Sequence, residues 1–159
     1  MDINENDQIE AYWRRFLVGL PEDSPYHQRT YHVEKWGEDQ ELADDLGNLI
    51  AAKKKTASCT SLWEWEAEGA PLPEAGKITI VLDWGGNPLC IIKTVEVEIR
   101  PFNQVDEQFA YEEGEGDRSL KYWREAHWNY FSCTLALIGR EPVEDMPLVC
   151  ERFVVIYKE

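Results

Sequence analysis

The run Ile78-Thr79-Ile80-Val81-Leu82-Asp83-Trp84-Gly85-Gly86-Asn87 decides the fold class. Ile78, Ile80 and Leu82 alternate with Thr79, Val81 and Asp83, which is the period of a strand, and Trp84-Gly85-Gly86-Asn87 is a turn signal. Beyond the turn the same period continues from Cys90 to Arg100, with Val95, Val97 and Ile99 alternating with Glu96, Glu98 and Arg100 until Pro101 ends it. A hairpin with one buried and one solvated face is predicted. A later strand is read over Leu148 to Tyr157, where Val149, Phe153 and Val155 on one face and Val154 and Ile156 on the other place it inside the sheet.

Helical periodicity surrounds these strands. Ile9, Tyr12, Trp13, Phe16, Leu17 and Leu20 form the apolar stripe of an amphipathic helix stopped by Pro21. Leu42, Leu46, Leu49 and Ile50 share a face of a second helix, with Asp44 and Asp45 opposite and Lys53-Lys54-Lys55 where a helix C-terminus favours cations. A third helix carries Leu120, Trp123, His127 and Phe131 along one face, with Asp117 or Ser119 as its cap. Pro21 to Gly37 shows no period and reads as a long connection. The class is α+β, with about three helices packed around the strands.

Composition bounds what such a domain can do. The chain has 159 residues, 43% of them apolar, which suits a single compact domain over 1–159, with 1–35 as an N-terminal helical extension. No apolar run approaches the roughly 18 residues of a membrane span, and no membrane partner is expected. Met1 to Asp7 has neither the basic nor the apolar region of a signal peptide, so a cytoplasmic location and free thiols are expected. Cys59, Cys90, Cys133 and Cys150 are far apart and form no C-x-x-C pair, which leaves no zinc knuckle or redox motif in view. The net charge is −15, and strong non-specific nucleic-acid binding is not expected. That charge is uneven: residues 1–50 carry −8, residues 101–159 carry −6, and the middle segment, with the only basic run, carries −1.

Lys55 and Ser58 stand where a helix gives way to a strand, a junction that exposes side chains on a rigid frame. A lysine beside a hydroxyl can act as its base if burial or neighbouring cations lower its pKa, and Lys53 and Lys54 supply such cations. Glu112, Glu113, Glu115 and Asp117, broken by Gly114 and Gly116, read as a flexible acidic loop; one carboxylate could orient the lysine. His27 and His32 lack a matching third ligand, and His127 reads as a partly buried, satisfied histidine. Trp36, Trp63, Trp65, Trp84 and Trp123 are expected mostly in the core. G-x-G-x-x-G, P-loop, H-E-x-x-H and G-x-S-x-G patterns are absent, and neither a metal site nor a cofactor is expected.

An ordered series of these residues resembles the ASCH domain family, a branch of the PUA-like superfold. It runs from Trp36-Gly37 through Ala43-Asp44-Asp45-Leu46, Lys54-Lys55-Thr56-Ala57-Ser58, Pro71-Leu72-Pro73, Gly76 and Ile91-Ile92-Lys93-Thr94 to Arg100-Pro101-Phe102 and Phe109-Ala110. It continues through Glu113-Gly114-Glu115-Gly116-Asp117, Ser119-Leu120, Trp123-Arg124 and His127. The resemblance implies a small PUA-like β-barrel surrounded by helices. The family's G-x-K-x-x-T signature falls on Lys53 to Ser58, with Lys53 in place of the glycine, Lys55 retained, and Ser58 in place of the threonine.

Small bacterial members that resemble N4-acetylcytidine amidohydrolases use the lysine, the hydroxyl and a glutamate. By that resemblance Lys55, Ser58 and Glu113 are the catalytic set, and Lys53, Lys54, Thr56, Trp123 and His127 the substrate-binding residues. The implied function is amide hydrolysis of an N4-acylated cytidine-type nucleoside. The alternative is an RNA-binding module or ribonuclease acting on single-stranded RNA, and a regulatory protein that keeps the fold without the chemistry is a third reading.

Overall fold

The computed structural model describes residues 4–159, so Met1, Asp2 and Ile3, which enter the leader-peptide reading, lie outside the described residues. In chain order the elements are α1 (Glu5–Val18), β1 (His32–Lys35), α2 (Gln40–Ala51), β2 (Ala57–Ser61) and α3 (Leu62–Glu68). They continue with β3 (Ile78–Leu82), β4 (Pro88–Pro101), α4 (Glu107–Glu113), α5 (Leu120–Ala136) and β5 (Pro147–Tyr157). Short 3-10 turns occupy Pro25–Gln28 and Phe102–Gln104. The strands form one sheet in the order β1-β3-β4-β5-β2, so β5 is an interior strand, as its two apolar faces predict.

Contacts divide the chain into two compact units. The first comprises residues up to Lys53, Gly76–Lys93 and Val154–Glu159. Here Ile9, Tyr12, Trp13 and Phe16 of α1 are buried with Ile78, Ile80 and Leu82 of β3 and Ile91 of β4. The predicted hairpin is present, with Ile78 opposite Lys93 and Ile80 opposite Ile91, but the apolar face expected further along β4 is not buried: Val95 and Ile99 are exposed. Its β3 strand is buried on both faces, because β1 and β4 pair with its edges while side chains cover each face.

The second unit comprises Lys54–Ala75 and Thr94–Phe153. Its core joins Ala57 and Cys59 of β2, Phe109 and Ala110 of α4, Trp123, Phe131 and Leu135 of α5, and Leu148 and Cys150 of β5. Side chains of this kind contribute about 1.5–3 kcal/mol each when fully buried, so the α5 stripe read from the sequence is a main attachment of that helix. Asp106 caps α4 by accepting from the Phe109 N–H at 2.9 Å, and Ser119 caps α5 by accepting from Tyr122 at 3.0 Å.

Other expectations change. The connection over 21–37 contains a 3-10 turn and β1, which runs parallel to β3 with His32 opposite Thr79. An edge strand held mainly by backbone bonds, with Val33 exposed, leaves no alternating pattern to read. The described residues hold five α-helices rather than about three, since α3 and α4 have seven residues each, too few to display a period. Of the five tryptophans assigned mostly to the core, only Trp123 is buried, whereas Trp84 is 43% exposed at the hairpin turn. An indole needs a partner for its N–H: Trp65 donates to Thr60 at 2.8 Å and Trp36 to Glu34 at 3.0 Å, which holds both rings at the half-buried margin.

Candidate functional site

The site in the second unit begins with the strand period. Lys55, Ala57, Cys59 and Ser61 share the buried face of the extended segment that leads into and through β2, while Thr56, Ser58 and Thr60 face the other way. Lys55 is only 2% exposed and donates from Nζ to the Glu113 carbonyl at 3.3 Å and to the Glu115 carboxylate at 3.0 Å. Glu113, the last residue of α4 and 1% exposed, accepts on Oε2 from Trp123 Nε1 at 2.9 Å and lies 2.7 Å from His127 Nε2. His127 also places Nδ1 2.9 Å from the Trp123 carbonyl and stacks on the Trp123 ring at 4.3 Å.

Two backbone features make this meeting possible. Gly114 ends α4 with φ +75°, and a Cβ there would lie 2.5 Å from the Lys54 carbonyl oxygen, so only glycine lets α4 close onto the segment that leads into β2. The Thr56 N–H donates to the Glu112 carbonyl at 2.7 Å across that approach. Lys53, which stands at the glycine position of the G-x-K-x-x-T pattern, has φ +62°, the left-handed region glycine favours. Arg118 secures the acidic turn: it donates to the Tyr111 and Lys54 carbonyls at 2.9 and 3.2 Å and lies 3.5 Å above the Tyr111 ring.

The electrostatics reverse one expectation. Burial by itself lowers the Lys55 pKa, but the facing Glu113 and Glu115 charges outweigh it and hold the ammonium above its usual 10.5. Lys55 is therefore a cation rather than a ready base, and Lys53 and Lys54, both exposed, do not change that. Burial raises Glu113, yet Lys55, His127 and the hydrogen bonds it accepts hold it below the usual carboxylate range. For His127 burial lowers the pKa, and the Glu113 carboxylate overcomes this and raises it. The Cys59 thiol is pushed up, first by burial and then by Glu113 and Cys150, and is held as S–H.

Of the residues singled out in the sequence, Lys55, Glu113, Trp123 and His127 come together. Ser58 does not join them: it lies opposite Glu151 on the other face of β2, and it has no hydrogen bond to Lys55 among the described residues. The i, i+3 spacing that brings side chains together on a helix separates them on a strand. Thr56 donates to the Glu112 carbonyl at 3.4 Å, and Trp123, 2% exposed, is covered rather than free to stack on a ligand. Sequence reasoning placed Glu115 among the carboxylates that could orient Lys55 but gave the role to Glu113, and it missed Cys59. Counting by two from Lys55 would have found Cys59.

Cys59, Glu113 and His127 offer ligand atoms within 4.8 Å of one another, the one such potential metal-binding group among the described residues. Elsewhere in this unit Phe102, Arg124, Glu125, Trp128 and Asn129 line an open groove of about 440 Å³.

The ASCH domain family model matches residues 33–157. The crystal structure of an ASCH domain from Lactobacillus crispatus JV V101 is 34% identical over 95% of both chains, with a TM-score of 0.89. A protein from Enterococcus faecalis V583 is 36% identical over 95% of this chain and 89% of its own, with a TM-score of 0.81. No curated protein matches the chain. The architecture is the α+β, PUA-like one expected from the sequence.

Proposed function

The chain belongs to the ASCH domain family, and from that premise we propose that it hydrolyses the acyl amide of an N4-acylated cytidine-type nucleoside at the Lys55–Glu113 cluster, acting in the cytoplasm. One observation carries the reading: a buried lysine ammonium donates to the Glu113 backbone carbonyl and feels the field of that residue's buried carboxylate, which is itself paired with a histidine. Such a pair suits addition and elimination at an acyl carbon. Glu113 takes a proton from water as its oxygen bonds to that carbon. The Lys55 ammonium stabilises the resulting oxyanion. Collapse breaks the C–N bond, and the proton leaves with the amine, giving the carboxylic acid and the free cytidine.

Substrate reaches Lys55 by displacing Glu115, whose carboxylate covers the ammonium from a turn with glycines at 114 and 116. Ser58 faces away from the pair and is assigned no step in this scheme. No helix among the described residues is long and apolar enough to cross a membrane.

The test is release of acid from N4-acetylcytidine by the purified chain. Lys55→Met is expected to lower the rate by about 100-fold or more, whereas Ser58→Ala stays within about tenfold. Loss of activity in Ser58→Ala would return the nucleophile to the hydroxyl. If the wild-type chain hydrolyses no N4-acylated cytidine, the hydrolytic reading fails.

The second reading, an RNA-binding module or ribonuclease, is favoured by the groove that joins Phe102 and Trp128 with the Arg124 cation. With a net charge of −15 it predicts weak binding of single-stranded RNA that falls steeply with salt.

A further inference from the structure

Three potential ligand atoms converge from three separate elements: Cys59 Sγ from β2, a carboxylate oxygen of Glu113 from the end of α4, and a ring nitrogen of His127 from α5. Glu113 and Cys59 are buried, and the His127 side chain is 14% exposed. The Glu113 carboxylate itself has spare acceptor capacity. Glu113 Oε2 engages both Trp123 and His127, while Oε1 is buried with no nitrogen or hydroxyl donor and the weakly donating Cys59 thiol faces the carboxylate. A thiol is a weak donor to a buried carboxylate, so a cation that converts it to a thiolate and takes both groups as ligands makes fuller use of them.

We propose that Cys59, Glu113 and His127 form a three-ligand binding site for a borderline divalent metal ion of the Zn²⁺ class. Thiolate and imidazole select such ions over Mg²⁺ and Ca²⁺, which require oxygen donors. The thiolate formed on binding and the Glu113 carboxylate together offset the double charge, while Lys55 keeps its ion pair with Glu115. Metal–ligand distances of about 2.0–2.3 Å in tetrahedral geometry separate ligand atoms by roughly 3.3–3.6 Å. A group already within 4.8 Å reaches that spacing with side-chain adjustments of about an ångström.

Three protein ligands leave one coordination position open, as in reactive rather than closed structural zinc sites. Cys150 stands directly across from Cys59 on the same buried face, the nearest further thiol in strand register. The sequence predicts no metal site because its ligand spacing, 59, 113 and 127, follows no local motif. The inference does not rest on the hydrolytic reading. A bound ion would occupy the carboxylate that Glu113 contributes to hydrolysis, so loading the site is expected to suppress that activity.

The test is direct binding to the reduced, chelator-treated full chain. Titration with Co²⁺ is expected to develop thiolate-to-cobalt charge-transfer absorption and tetrahedral d–d bands, saturating at about one ion per chain and bleached by Zn²⁺. Cys59→Ser is expected to abolish the charge-transfer band and His127→Gln to weaken binding by about tenfold or more. Cys133→Ser, which alters the exposed thiol, is expected to leave both unchanged. X-ray absorption of the zinc-loaded wild-type chain supplies a measurement independent of any variant, with one sulfur shell near about 2.3 Å and nitrogen or oxygen near about 2.0–2.1 Å. Absence of the charge-transfer band in the wild-type chain, its survival in Cys59→Ser, or its loss in Cys133→Ser overturns the proposal. These readouts do not depend on any nucleoside being hydrolysed.

Discussion

Replacing Glu113 with glutamine keeps the shape of the side chain and removes its charge, which isolates the electrostatic part of the cluster. The carboxylate receives one N–H from Trp123 and one from His127, at 2.9 and 2.7 Å. Hydrogen bonds to a charged group contribute about 1.5–3 kcal/mol each and neutral ones about 0.5–1.5, so neutralising the acceptor removes roughly 1–1.5 kcal/mol per bond. The Lys55 ammonium, 2% exposed, also loses one of the two facing charges that offset its burial. The combined loss is about 3 kcal/mol. For a chain of 159 residues this lowers the melting temperature by about 6–12 °C.

Urea denaturation followed by tryptophan fluorescence measures the change, and Glu96→Gln is the control. Glu96 pairs with Arg152 at 2.8 Å but is 52% exposed, so its loss is expected to stay within about 1 kcal/mol. A Glu113→Gln chain as stable as the wild type would refute the reasoning, since it would mean that the carboxyl is already neutral in the folded protein.

Two further outcomes follow from other parts of the fold. Burial pushes the Cys90 thiol up to about 12 from an ordinary 9.0, so the unfolded chain loses this proton first as pH rises. Its stabilising contribution is complete below about pH 9 and falls by about 1.4 kcal/mol at about pH 10; urea midpoints at both pH values should show a smaller alkaline loss in Cys90→Ala, and an equal loss would exclude the thiol as a cause. Gly114→Ala combines φ +75° with a Cβ placed 2.5 Å from the Lys54 carbonyl, so a loss of about 2 kcal/mol or more is expected. Unchanged stability in that variant would show that α4 does not need this close approach.

The local pattern of the sequence was enough to determine the hairpin of β3 and β4, the interior position of β5 and the stripes of α1 and α5, because burial imposes a period that a single chain displays, whereas α2 buries Ala43, Gly47, Ile50 and Ala51 and leaves Leu42 exposed. The local pattern also singled out Lys55, at the junction of a helix and a strand, while Glu113 and His127 gained their roles from the resemblance to the ASCH family. Only the tertiary structure decided how they act. Because the segment is extended, Ser58, three residues from Lys55, points to the opposite face, while Cys59, four residues away, stays with the cluster. The direction of the Lys55 shift depended equally on distance, because Glu115 lies 60 residues away in the chain and 3.0 Å away in space. Coulombic interaction varies with separation in space, and no spacing along a chain encodes it.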